Sequence, residues 1–369
     1  MNHPSDNAKP QRTEIELRYY FLHLATALRP DLLRNSDLKL VMQQIETWTG
    51  AATSAEITAR GPAMIGVLDA MITAVAKVMP LKKNWRSIAV DHRDQCQTGA
   101  FSFTSGLTCG WVLERFEQDA VRIPEEIPLH ARIGVGPHAG RASVEEDFLL
   151  RDAFFMLAKC NFSFERLESF RGKTPRGANA KEQYETVSAA NQNVATYARS
   201  ALSGFYAFVE CFVNSVGEDF VLRNTSLPPT TTELLRGKKD GRYLSIERKI
   251  ELFPGLIRTD GKRPIVISDP AQIGEPYKAF VTHVKAVRDA SAHYGKHKAD
   301  IIMSPQMWVK KAADAASVCS GVARGFWSAC YPGRTVPKYI DQLNEIRLLK
   351  AAEERARAEH IPVEGKAAP

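Results

Sequence analysis

The segment PYKAFVTHVKAVRDASAHYGKH, Pro276 to His297, gathers Arg288, Asp289 and His293 within six residues. Imidazole exchanges a proton near neutral pH, and a guanidinium binds phosphate oxygens with paired, charge-assisted hydrogen bonds. Packing one helix on a core requires none of the three. Together they suit a phosphodiester. His283, Lys285, Lys296, His297 and Lys298 add positive charge that suits a phosphate backbone. The plain alternative for each lysine is a solvated, charged helix face.

The segment itself reads as a helix. Pro276 fits a first turn, and Phe280, Val284, Val287 and Ser291 form an apolar stripe, with Val281 beside it. Asp289 and His293 are four apart and share a face. Arg288 and His293 are five apart, about 140° in direction on an ideal helix. The long arginine side chain, a loosened end near Gly295, or a second copy across a dimer axis would close that gap. The dimer solves the geometry best, with two Arg/His sets around one cleft.

Two upstream segments complete a pattern. AFVECFVNSVG, Ala207 to Gly217, sets Glu210 and Asn214 on one face of a long helix, and SIERKIELFPGLI, Ser245 to Ile257, reads as a second helix. With Arg288-Asp289-Ala290-Ser291-Ala292-His293 at the end of a third, the region from about Asn191 to Cys330 resembles the HEPN superfamily. Its signature is an arginine, often a polar residue next, and a histidine after a gap of four to six residues. The resemblance implies a helical bundle bearing a metal-independent endoribonuclease site at a homodimer interface. It also implies RNA as partner, with a toxin or antiviral defence role and a cognate inhibitor or antitoxin. His293 would take the ribose 2′-hydroxyl proton or protonate the leaving 5′-oxygen, while Arg288 would stabilise charge on the phosphate. Asp289 would orient either group, Lys285, Lys296, His297 and Lys298 would bind substrate, and Glu210, Asn214 and Glu247 would hold the helices. No cofactor is implied. The competing reading is a noncatalytic helical protein that binds nucleic acid or another protein.

Other Arg/His pairs have similar spacing and poorer context. Arg18 precedes His23 and Arg355 precedes His360, but Tyr19 and Ala356 stand where the polar residue belongs. Arg132 and His138 enclose glycines and Pro137, and Arg86 and His92 enclose the run SIAVD without comparable helices ahead. ARIGVGPHAGRAS, Ala131 to Ser143, lacks the lysine and hydroxyl of a phosphate-binding loop, and GKT at Gly172 to Thr174 lacks the upstream glycines. Cys96, Cys109, Cys160, Cys211, Cys319 and Cys330 form no CxxC pair, and His293 with His297 lacks the acid of HExxH.

Composition frames these motifs. A chain of 369 residues, 44% apolar and 25% charged, has the make-up of a soluble globular protein with room for one large domain or two ordinary ones. Its net charge of +7 favours polyanionic partners weakly. PAMIGVLDAMITAVAKVMP, Pro62 to Pro80, is the nearest approach to a membrane span, but Asp69, Lys77 and the bounding prolines favour a buried or half-buried helix. A polar start that does not read as secretory places the expectation in a reducing cytoplasm.

The expected fold is mainly α, a C-terminal HEPN-like bundle with an additional mostly helical N-terminal region. Residues 1–14 read as a flexible start, 15–170 as the N-terminal region, 171–186 as a linker broken by Pro175, 187–345 as the bundle, and 346–369 as a charged tail. Periodicity predicts helices over Arg18–Thr26, Asp37–Thr47, Val144–Leu167 and Val187–Phe220, the last ended or redirected by Gly217 and LPPTT. Ser304 and Pro305 make a start signal for Met307–Cys330. Gln95–Gly110 fits short strands or an irregular loop, and Ala131–Ser143 a loop.

Overall fold

Ile15, Arg18, Leu22 and Ala25 follow one another at helical spacing, and their shared stripe is the buried face of α1, Pro4–Leu28. The structure, a computed structural model, describes residues 4–34, 36–97, 104–121, 123–135, 140–173, 180–292 and 303–359. The chain is mainly α and splits into two units, Met1–Val144 and Glu145–Pro369. That division lies upstream of the 171–186 segment, because the helix beginning at Glu145 packs with the second unit.

In the first unit α1 is joined by α2, Ser36–Ala51, α3, Ser54–Val78, and α4, Trp85–Gln97. Helical structure from Pro4 and a buried Ala8 replace the flexible start expected over 1–14. Arg18 fastens α1 to α3: its guanidinium donates to Asp69 at 2.9 and 3.2 Å and to Glu14 at 2.7 Å. A reciprocal capping box between Thr53 and Glu56 starts α3. Ile57, Gly61, Leu68, Ile72 and Val75 form its buried stripe. Much of the rest of α3 faces outward, and its most apolar 18-residue window is only 22% buried. Of the two expected states, buried or half-buried, the helix takes the second, with one face buried and the other exposed.

The described residues of the Gly- and Ser-rich stretches include three strands, two of them within Ala131–Ser143 in place of the expected loop. β1, Thr104–Thr108, pairs antiparallel with β2, Arg132–Val135, which pairs with β3, Gly140–Ser143, in register Arg132 opposite Ser143. Thr108 then caps α5, Cys109–Leu113, its hydroxyl accepting from the Trp111 N–H at 3.1 Å.

The second unit is a helical bundle around α6, Glu145–Glu168, and α7, Ala180–Arg223. They run antiparallel: Cys160 meets Val194, Ala153 meets Gly204, and Glu146 meets Ser215. Leu202, Phe205, Phe208, Val209, Phe212, Val213 and Val216 of α7 are all buried, as their spacing predicts. α8, Pro229–Leu235, a short hairpin of β4, Lys238–Lys239, and β5, Arg242–Tyr243, and α9, Ile246–Ile257, follow. Next comes one helical rod in three parts: α10, Tyr277–Ala279, a π-helical segment, Phe280–Lys285, and α11, Ala286–Ala292. α12, Pro305–Cys330, starts as predicted, the Ser304 hydroxyl accepting from the Met307 N–H. α13, Gln342–Ala358, is more than an exposed charged tail, because Leu348, Ala352 and Ala356 are buried in the core.

Gly217 does not end α7. It lies within the helix, where a Cβ would strike the Leu235 carbonyl of α8 and sit 2.7 Å from the Phe253 ring of α9. A missing side chain here lets two elements approach the long helix. Gly217→Ala should therefore destabilise the second unit by about 1–3 kcal/mol through overpacking. A urea midpoint equal to that of the parent chain would refute this.

Candidate functional site

The residues singled out near Arg288 converge on one flank of the bundle. α7 contributes Tyr206, Glu210 and Asn214, one turn apart along the helix. α9 brings Glu247 in its first turn, where the Ser245 hydroxyl caps the backbone. Lys285 closes the π-helical segment, and Arg288 and Asp289 follow in α11. The wide turn carries the chain past the buried anchors Phe280 and Val284 before the charged residues emerge; Ser291, expected on the apolar stripe, is exposed instead.

The side chains form a row of alternating charge. Glu247 Oε1 lies 3.1 Å from Lys285 Nζ, which lies 3.2 Å from Asp289 Oδ2. Asp289 Oδ1 accepts from Arg288 Nη1 at 2.7 Å. The guanidinium carbon is 4.2 Å from the Tyr206 ring centroid, close enough for a cation–π contact. That ring stacks on Phe280, with centroids 5.6 Å apart and planes inclined by 3°. Beneath the row, Lys249 donates to Asn214 Oδ1 at 2.9 Å. Among the described residues Glu247 Oε2 is buried and accepts no hydrogen bond.

Burial acts on Tyr206, Lys249, Lys285 and Asp289. It pushes the Tyr206 hydroxyl up to about 12, helped by Glu210, Glu247 and Asp289 against Arg288. Tyr206 is thus a platform rather than a proton donor near neutral pH. For Lys249 burial lowers the ammonium below its ordinary range, with Glu210 opposing. Lys285 goes the other way: burial works against its charge, but the hydrogen bonds it donates to Glu247 and Asp289 raise it overall. In Asp289 burial favours the neutral acid, yet the bonds from Arg288 and Lys285 hold the carboxyl below its ordinary range.

The structure brings together Arg288, Asp289, Lys285, Glu247, Asn214 and Glu210. His293, Lys296, His297 and Lys298 lie outside the described residues. Lys285, expected to bind substrate, already sits between two carboxylates. His283 is exposed elsewhere on the rod and borders a groove of about 310 Å³ with Lys310, Lys311 and Asp314 of α12. Tyr206 and Lys249 went unnoticed in the sequence. The only signal for Tyr206 was its place four residues before Glu210.

Of the competing pairs, Arg18 with His23 and Arg86 with His92 are absorbed by packing, while His138 and His360 lie outside the described residues. Arg18 is held by Glu14 and Asp69, and its partner His23 stacks on His92 with ring centroids 5.7 Å apart. Burial, with His23 nearby, pushes His92 down to about 3, so it stays neutral. Arg86 pairs with Glu14, and Arg355 lies 4.0 Å from the Phe155 ring.

Because the folded Asp289 titrates below its unfolded value, its contribution is present above the ordinary 3.8 and disappears as the pH falls through the folded value. Asp289→Asn should flatten the acid limb of stability, the parent losing more than the variant between pH 5 and pH 2 (about the range where such a carboxylate titrates). Parallel acid limbs in urea titrations would exclude a stabilising role for the charge. No family model, no curated protein and no solved structure matches the chain.

Proposed function

We propose that the chain is a metal-independent endoribonuclease of the HEPN kind, with Arg288 and His293 as its working groups and RNA as its substrate. One observation carries the reading. Arg288 is fixed by an aromatic face and a neighbouring carboxylate at the end of a helix, while 29% of its side-chain surface still faces outward. A guanidinium held this way has lost much of its conformational freedom before a phosphate arrives. After Asp289, the next titratable residue along the chain is His293.

In this mechanism His293, or its mate from a second copy, removes the 2′-hydroxyl proton. The 2′-oxygen attacks phosphorus, the bond to the 5′-oxygen breaks, and an imidazolium returns a proton to that oxygen. The products are a 2′,3′-cyclic phosphate and a 5′-hydroxyl. Arg288 binds the non-bridging oxygens as charge builds on them. Phosphate must draw Arg288 partly away from Asp289, and Lys285 is placed to keep that carboxylate neutralised. A role as a toxin or defence effector in the cytoplasm, with a cognate inhibitor, follows from the same resemblance.

A second reading has its own support: Arg288 and Lys285 are already matched by Asp289 and Glu247, as in a purely structural network. It predicts RNA binding or protein binding without cleavage. Labelled RNA incubated with the chain separates the two. The nuclease should act in the presence of chelator and leave cyclic phosphate ends, and Arg288→Ala and His293→Ala should each lower the rate by about 10²-fold or more while remaining folded. Undiminished cleavage by the folded His293→Ala chain would remove histidine from the mechanism, and loss of activity to chelator would remove its metal independence.

A further inference from the structure

The outward face of α3 has a pattern of its own. Opposite the buried stripe of Ile57, Gly61, Leu68, Ile72 and Val75, the residues Ala59, Ala63, Gly66, Val67, Ala70 and Ala74 are all exposed. At about 100° per residue the four alanines fall within roughly 30° of a single line along the helix. The residues on that line at its two ends are Glu56 and Lys77, also exposed and of opposite charge. Arg60 lies at the edge. Apolar and small in its middle and oppositely charged at its ends, this face is complementary to itself when reversed.

We propose that α3 pairs antiparallel with α3 of a second copy of this chain, about a two-fold axis between Gly66 and Val67. In that register Gly66 faces the partner's Val67, Ala63 the partner's Ala70, Ala59 the partner's Ala74, and Glu56 the partner's Lys77. Every contact occurs twice, as an isologous interface requires. Small side chains allow the axes to approach to the short end of the usual 8–10 Å range. A parallel pair would set Glu56 against Glu56 and Lys77 against Lys77, so the charges select the antiparallel arrangement. This interface is independent of the nuclease reading and stands or falls without it.

Gly66 suits the test, since a Cβ added there meets nothing within 4 Å and the fold tolerates a side chain. Sedimentation of the full chain should show mass rising with concentration above 41.0 kDa toward twice that value. Gly66→Arg should remove the association made through this face, lowering the mass at a given concentration with an unchanged helical spectrum, whereas Gly66→Ala should still associate. Lys77→Glu should weaken the dimer about tenfold or more by placing like charges together at both ends. Adding Glu56→Gln, which keeps the helix cap, should recover part of the loss. Register is read by crosslinking: Gly66→Cys, beside the axis, should form an interchain disulfide under mild oxidation. Ala55→Cys, about 34 Å from its symmetry mate, should not. A chain that is monomeric throughout, a dimer indifferent to both Gly66→Arg and Lys77→Glu, crosslinking at both positions, or association only with phosphatidylcholine vesicles would each overturn the proposal.

Discussion

The ring of Tyr206 joins the apolar core to the charged row. It stacks on Phe280, which is fully buried, and the same ring lies under the guanidinium of Arg288. Without an aromatic there, Arg288 would be held only by the adjacent Asp289, a short-range contact that sets little about direction. With it, the cation's position is referred through Phe280 to the packing of α7 and the rod. The row beyond inherits that position, since Asp289 binds Arg288, Lys285 binds Asp289, and Glu247 binds Lys285. Removing water from charges is costly unless each is paired, and the alternation of sign meets that requirement.

That arrangement constrains what the site can accept. Lys285 and Arg288 are already paired with carboxylates, so an incoming anion would exchange with a carboxylate rather than fill a vacant positive pocket. Exchange is less costly here than elsewhere, because Asp289 touches both Arg288 and Lys285 and keeps a partner when one is taken. Exposure follows the same gradient: Lys249 is buried beneath the row, while Lys285 and Arg288 are half-exposed at its surface.

Local signals were legible in the sequence and long-range ones were not. Ser304 with Pro305 announced the start of α12 because capping and proline geometry act within one turn. The stripe from Leu202 to Val216 announced α7 for the same reason, as a period rather than a contact. Gly217 misled, since its purpose is the approach of Leu235 and Phe253, more than fifteen residues away. Charged residues hid the buried face of α13, where Leu348, Ala352 and Ala356 are thinly spaced among Glu and Arg. At the site, Arg288 and Asp289 were visible as a motif. Tyr206 was not, because an aromatic in a helix reads as core until the cation above it is known.

The π-helical segment has a consequence for how such a site can vary. A wide turn contains more residues than an α turn, so the helix after it is out of phase with the helix before it. Phe280 and Val284 can stay seated while the angular aim of residues 288 and 289 is set separately. Gain or loss of a single residue in that turn would swing the charged tip about the rod axis like the hand of a clock, with the hub left in place.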